Sequence, residues 1–320
     1  MKRRLFRIVV VLACGLFVAL NAMAFFHAWR MTHFQAARRG TGSPLKLSVI
    51  EKIGVLATGV TLPRPKCDPV GPDDPQPSRT VHFSARDGVK LEAWDIPAET
   101  NRMVAVLFHG HVSAKSGMLG EARALRELGV RTILVDFRGS GGSDGMVTTL
   151  GWDEAMDVAA AATWARHEWP ERPLILYGTS MGAAAVLRAV AVEDVRPDGI
   201  VLECAFDNLL RTVSHRYHAM GLPAFPFAEL LVFLGGVQHG FNAFRHNPAE
   251  YAKVVTCPAL VLDGERDPWV WPAEAHRVAA AMRGTAECHI FPNGGHGGYW
   301  ADMPEDYRRT VAEWMRTTFH

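Results

Sequence analysis

The chain reads as an α/β protein. It should hold a mostly parallel sheet of about eight strands with helices on both faces, a small helical cap and an N-terminal transmembrane helix. Three observations carry this reading. From Val104 onward, short apolar runs alternate with helical segments, the pattern of a parallel sheet covered on both sides. Two earlier strand-like runs, Arg79–Ser84 and Lys90–Ile96, are joined by Arg86-Asp87-Gly88, which supplies hairpin chemistry and makes one edge antiparallel. Residues 8–29 contain no Asp, Glu, Lys or Arg. At 320 residues the chain is long enough for one large α/β domain.

The N-terminus comes first. Lys2, Arg3, Arg4 and Arg7 precede the uncharged run from Ile8 to Trp29. A helix of about 22 residues is about 33 Å long, enough to cross a bilayer core. Ala22-Met23-Ala24 has the small-residue form of a signal-peptidase site, so a cleaved signal is the alternative to an anchor. The run continues through Phe25, Phe26 and Trp29, which favours an uncleaved single-pass anchor. Arg30, Arg38 and Arg39 follow it, so the basic bias is slight; it still leans towards a cytoplasmic N-terminus and a domain outside the cytoplasm. Residues 1–30 are thus the anchor or signal. Residues 31–78 are a juxtamembrane segment and an extended linker with Pro63, Pro65, Pro69, Pro72, Pro75 and Pro77. Residues 79–320 are the folded domain.

Within that domain the strands are Val104–Phe108, Arg131–Val135, Leu174–Tyr177, Gly199–Leu202, Ala259–Leu262 and Glu287–Phe291. Helices run through Glu121–Leu128, Asp153–His167, Met181–Val192, Ala273–Met282 and Asp306–Thr317. The rhythm breaks between about 205 and 255. There Leu222–Leu234 is too apolar for an exposed loop and, broken by Pro223 and Pro226, too short to span a membrane. It reads as the cap over the sheet.

The formal net charge is +1, with no basic block beyond the N-terminus, so nucleic acid is excluded as a partner. Of five cysteines, Cys14 lies in the apolar segment. Cys67, Cys204, Cys257 and Cys288 have no zinc-site spacing and are expected as free buried thiols. A Cys257–Cys288 bridge requires that their two strands be neighbours.

The chemistry concentrates at the carboxyl ends of the strands. Gly178-Thr-Ser-Met-Gly182 lies between a strand and a helix, where a sharp bend raises a serine hydroxyl above the sheet. Glycines two residues to either side leave room for the bend. Ser180 is therefore the candidate nucleophile. His296, in Pro292-Asn-Gly-Gly-His-Gly-Gly298 after the last strand, is the candidate base. Asp267, a few residues past the preceding strand, is the acid that would orient it; Asp263 structures the turn and Asp207 is the second choice. The backbone N–H groups of Met181 and His111 are the candidate oxyanion donors, the second freed by Gly110. The rings of His109 and His111 receive no catalytic role.

These motifs, in this order, resemble the α/β-hydrolase-fold serine hydrolases. His109-Gly-His111, Asp136-Phe-Arg-Gly-Ser-Gly-Gly-Ser-Asp-Gly145, Gly178–Gly182, Asp263-Gly-Glu-Arg-Asp-Pro268 and Gly294–Gly298 carry the resemblance, over residues 79–320. The second run is similar to the branch holding bacterial esterases, monoacylglycerol-lipase-like and serine-aminopeptidase-like hydrolases. A serine at the bend separates the chain from dehalogenases and epoxide hydrolases, which use a carboxylate, and from cysteine-based dienelactone chemistry. The resemblance implies acyl transfer through an acyl-enzyme, with no metal or organic cofactor. An apolar cap favours ester or lipid-like substrates. A peptidase or amidase is the alternative, but Glu229 and Glu250 are too few and scattered to capture a free amine. A non-enzymatic binding protein on the same fold is the reading from a different class.

Overall fold

The computed structural model describes residues 2–319 apart from 38, 43, 44 and 46, and only the backbone of 49, 53, 56 and 57. Arg38, counted above in the charge bias, falls outside the described residues.

Eight strands form one sheet: β1 (Arg79–Ser84), β2 (Lys90–Ile96), β3 (Met103–Phe108), β4 (Val130–Val135), β5 (Leu174–Thr179), β6 (Gly199–Glu203), β7 (Ala259–Gly264) and β8 (Ala286–Phe291). Their order is β1-β2-β4-β3-β5-β6-β7-β8. β1 pairs antiparallel with β2 and β2 with β4, while every pair from β4 to β8 is parallel. The hairpin edge is as the sequence predicts.

Side chains alternate between two cores. Val104, Val106 and Phe108 of β3 face one, Ala105 and Leu107 the other. Because both faces are covered there, the central strands β3, β5, β6 and β7 are largely apolar, whereas β1, β2 and β8 towards the edges carry charged and polar residues. Helices α4 (Glu154–Glu168), α5 (Met181–Val192), α8 (Pro248–Ala252) and α9 (Pro272–Ala281) enclose the first core. Helix α3 (Leu119–Glu127), the short α10 (Tyr299–Asp302) and α11 (Pro304–Thr318) enclose the second. The cap consists of α6 (Leu209–Ala219), α7 (Phe227–His239) and a 3-10 turn, while α8, at the end of the stretch read as cap, packs on α5 and α9.

The N-terminal segment departs from expectation. Helix α1 (Lys2–Thr32) is exposed from Lys2 to Ala19, but Ala24 and Ala28 are buried, and its C-terminal part lies along α7. Small residues permit the approach: a Cβ at Gly235 would stand 3.9 Å from that of Ala28. Gln238 donates to the Phe25 carbonyl (2.7 Å), and His239 Nε2 lies 2.8 Å from Thr32 Oγ1. One helix therefore projects from the domain at one end and belongs to it at the other.

A second helix, α2 (Val49–Thr58), occupies the segment read as juxtamembrane. Its signal was legible: Ser48 and Glu51 form a capping box. The prolines that follow do not hold the segment away from the domain. Phe34 is buried, and Gln35 bridges Pro63. Arg64 donates to the carbonyls of Gly141 (2.8 Å) and Ser143 (2.5 Å), and Lys115 Nζ lies 3.2 Å from Cys67 Sγ. The cysteines are free among the described residues, but of the four expected to be buried only Cys204 is; Cys67, Cys257 and Cys288 are half-buried. Strands β7 and β8 are neighbours, but Cys288 pairs in register with Val261, not Cys257.

Candidate active site

Four loops leave the carboxyl edge of adjacent strands and converge. β5 ends at Thr179, and Ser180 follows with φ 54° and ψ −109°, a left-handed backbone that a side chain enters only at a cost. Its N–H donates to the Glu203 carbonyl at 2.7 Å, pinning the bend to β6. A Cβ at Gly178 would collide with the Gly182 carbonyl, and one at Gly182 with the carbonyl of Phe108. Both positions therefore need glycine because strand, bend and helix press together.

His296 follows β8 and reaches both partners. Its Nδ1 lies 2.6 Å from Asp267 Oδ2, and its Nε2 lies 3.0 Å from Ser180 Oγ. A carboxylate only accepts, so Nδ1 carries the proton and Nε2 is left to accept from the serine hydroxyl. Asp267 is fully buried, and its Oδ1 accepts from the N–H groups of Trp269 (2.8 Å) and Val270 (3.0 Å). The β7 and β8 loops are tied together by Glu265 N–H to Phe291 O (3.0 Å) and Arg266 N–H to Gly294 O (2.8 Å).

The other candidates separate. Asp207 is held by Arg211 (2.6 Å) and Arg277 (2.5 Å), so it serves as an ion-pair hub. Asp263 accepts from the Gly264 N–H (2.9 Å), and burial, then the neighbouring Asp267, push its pKa to about 8. His109 donates from Nδ1 to the Gly110 carbonyl (2.8 Å) and accepts at Nε2 from the Phe137 N–H (3.1 Å), joining the loops after β3 and β4. Met181 is the first residue of α5, where an amide has no partner within the helix. Among the described residues the His111 N–H donates to no backbone carbonyl. The His111 ring is pressed towards Phe34, and burial lowers its pKa to about 4, so it is neutral at pH 7.

Sequence reasoning missed three residues. Glu203, at the end of β6, accepts from the Gly298 N–H (3.1 Å) and the Tyr177 hydroxyl (2.5 Å), bracing the loop that carries His296. Burial raises its pKa. Cys204 lies close enough to Asp267 and His296 for a shared metal. The donor set does not fit one: His296 and Asp267 are bonded to each other, and burial pushes the Cys204 thiol far above its usual range, leaving it protonated. The third is Arg216, on α6.

Ser180, Met181 and His111 line a cavity of about 290 Å³. Its walls are mostly apolar: Leu150, Phe206, Leu209 and Val213 on the domain side, and Met31, Leu47, Val55 and Leu62 from the N-terminal segment. A second cavity of about 200 Å³ runs between α1 and the cap, lined by Leu20, Met23, Leu222 and Phe227. The two share His27 and Tyr217 as a wall.

Comparison with known proteins agrees with this fold. Residues 99–221 match the Hydrolase_4 family, described as serine aminopeptidase, S33. The uncharacterized protein YfhR of Escherichia coli is 30% identical over 259 residues, covering 77% of this chain and 82% of its own. The lysophosphatidylserine lipase ABHD12 of Mus musculus is 24% identical over 176 residues, covering 53% of this chain and 43% of its own. An esterase from Pyrococcus furiosus superposes with a TM-score of 0.64 at 22% identity, over 80% of this chain and 98% of its own. With the sheet order, the loops at its carboxyl edge and these relatives together, the chain belongs to the α/β-hydrolase-fold family of hydrolases.

Proposed function

We propose that the protein is a serine hydrolase that cleaves carboxylic esters with an apolar or acyl part through an acyl-enzyme. One observation carries the reading: His296 bridges Asp267 Oδ2 and Ser180 Oγ at a strained bend beside an apolar cavity. In the first step Ser180 Oγ attacks the ester carbonyl and its proton passes to His296 Nε2. The amides of His111 and Met181 hold the oxyanion. Collapse expels the alcohol, which takes the proton from Nε2. Water then attacks the acyl-serine, its proton passing to the same nitrogen, and the acid departs as Ser180 is reprotonated. Asp267 stabilises the imidazolium at each stage.

The description of the matching family raises the aminopeptidase reading. A free amine needs an acidic partner, and among the described residues no Asp or Glu lines the cavity. Glu250 pairs with Lys253, and Glu229 lies outside the lining. Esters are therefore favoured, and the lipase and esterase among the relatives agree with that choice.

We further divide the chain into an anchor (1–30), a segment lying on the domain (31–78) and the hydrolase domain (79–320). In this division α1 spans the membrane once and the domain faces the non-cytoplasmic side. The exposed Phe26 of α1 and the exposed Phe233 and Val237 of α7 then lie at the bilayer surface.

Labelling with a neutral fluorophosphonate tests the nucleophile. Wild type should label and Ser180→Ala should not. A panel of p-nitrophenyl esters beside aminoacyl-nitroanilides tests the substrate class, and preference for the anilides would sink the esterase reading. Retention through a carbonate wash tests the anchor; a soluble, shortened product would mean cleavage after Ala24.

A further inference from the structure

The cavity beside Ser180 has a cation in its wall. Arg216 projects from α6 into this lining, between Thr212, Val213 and Met220 of the cap. Its guanidinium carbon lies 5.1 Å from the centroid of the Trp269 ring. Among the described residues no carboxylate stands within 4.0 Å of it. Arg211, one turn earlier on α6, is by contrast paired with Asp207 at 2.6 Å. The acid whose charge reaches Arg216 is Asp267, but both of its oxygens are committed, to His296 and to the amides of Trp269 and Val270. The same positive charge also reaches the His111 ring on the other side of the site.

A guanidinium carries five donors in a rigid fork, and withdrawing them from water without acceptors is unfavourable. A purely acyl-binding wall would be served better by leucine. An apolar cavity that keeps one unpaired arginine beside its nucleophile suits a substrate that is itself amphiphilic. We infer that Arg216 is a specificity-determining residue that binds an anionic group, phosphate or carboxylate, on the alcohol side of a monoacyl ester. This rests on the serine-hydrolase reading of the site. The acyl chain lies along the apolar walls, towards the second cavity between α1 and the cap. The fork pairs with two oxygens of the anion and holds the scissile carbonyl at Ser180.

The test uses full-length protein in neutral detergent at constant salt. Wild type, Arg216→Gln and Arg216→Lys are given dodecanoyl esters of glycerol, glycerol phosphate and lactic acid, which are neutral, phosphate-bearing and carboxylate-bearing. Wild type should favour one anionic ester over the neutral one, and which one separates phosphate from carboxylate. In Arg216→Gln the anionic-to-neutral ratio of kcat/KM should fall roughly ten- to hundredfold, mainly through KM, with Arg216→Lys intermediate. No anionic preference in wild type, or an unchanged ratio in Arg216→Gln, overturns the inference. If Arg216→Gln fails to fold, competitive inhibition of wild type decides: dodecyl phosphate or dodecanoate should inhibit more strongly than dodecanol, and equal inhibition overturns it. Hydrolysis that survives Ser180→Ala would instead remove the serine reading beneath it. Ser180-dependent hydrolysis without anionic preference removes the role of Arg216 alone.

Discussion

Asp263 and Asp267 are four positions apart, yet their surroundings give them opposite tasks. Asp267 accepts from His296 at Oδ2 and from two backbone amides at Oδ1. Asp263 accepts from Gly264, but its Oδ2 is buried with no partner among the described residues. Its pKa rises from 3.8 to about 8, through burial first and Asp267 second. The folded protein thus keeps a proton that the unfolded chain releases above pH 3.8. Folding is favoured most below that pH, and this contribution is lost as pH climbs to about 8. Asp263→Asn keeps an acceptor for Gly264 and removes the titration. Between about pH 5 and about pH 9 its urea midpoint should fall less than that of wild type. Parallel pH profiles would show that Asp263 titrates normally.

Among the elements, α5 and α1 illustrate two uses of small residues. Gly178 and Gly182 let β5, the bend and α5 close on β3, and Ala183, Ala184 and Ala185 are fully buried behind them. In α1, Ala24 and Ala28 let the helix settle on α7, although residues 2–19 are exposed. Ala28→Leu should wedge this contact apart, since overpacking costs about 1–3 kcal/mol. The segment that follows would then open more often. Proteolytic cleavage within residues 33–62 should quicken by about tenfold, while cleavage in the sheet domain stays slow. Unchanged cleavage would mean that α1 is held elsewhere.

For the whole molecule, the consequence is that the N-terminal segment builds part of the cavity beside Ser180. His27, Met31, Leu47, Val55, Val60 and Leu62 all line it. Two truncations separate anchoring from binding. Removing residues 1–19 takes away the exposed, projecting part of the helix and leaves these residues, and Leu20 and Met23 of the second cavity, in place, so the product should leave the membrane and keep the wild-type chain-length profile. Removing residues 1–62 strips one wall. Each methylene left in water loses about 0.8 kcal/mol, so uncovering two lowers kcat/KM for a long-chain ester, relative to acetate, by about tenfold. Esters of rising chain length measure both, and identical chain-length profiles would exclude the N-terminal segment from the pocket.

The sequence by itself determined what depends on neighbours along the chain. Alternation of apolar runs with helical segments placed six strands and hairpin chemistry the two before them, and each glycine-flanked motif sat at a strand end, so the loops carrying Ser180, Asp267 and His296 had to leave the same edge of a parallel sheet. The capping box at Ser48 and Glu51 was equally local and would have disclosed α2. Only the tertiary structure decided what distant segments do to one another. Uncharged composition marks α1 as long and apolar, but burial of Ala28 depends on α7, some 200 residues away. A proline-rich stretch forbids helix without saying whether it stands free or lies on a surface; Arg64 meeting the carbonyls after β4 settles that. Arg216 is one arginine on an amphipathic helix until the fold sets it in a cavity wall where, among the described residues, no Asp or Glu joins it. Burial and pairing are properties of packed surfaces, and periodicity can name the face of an element but not the partner it meets.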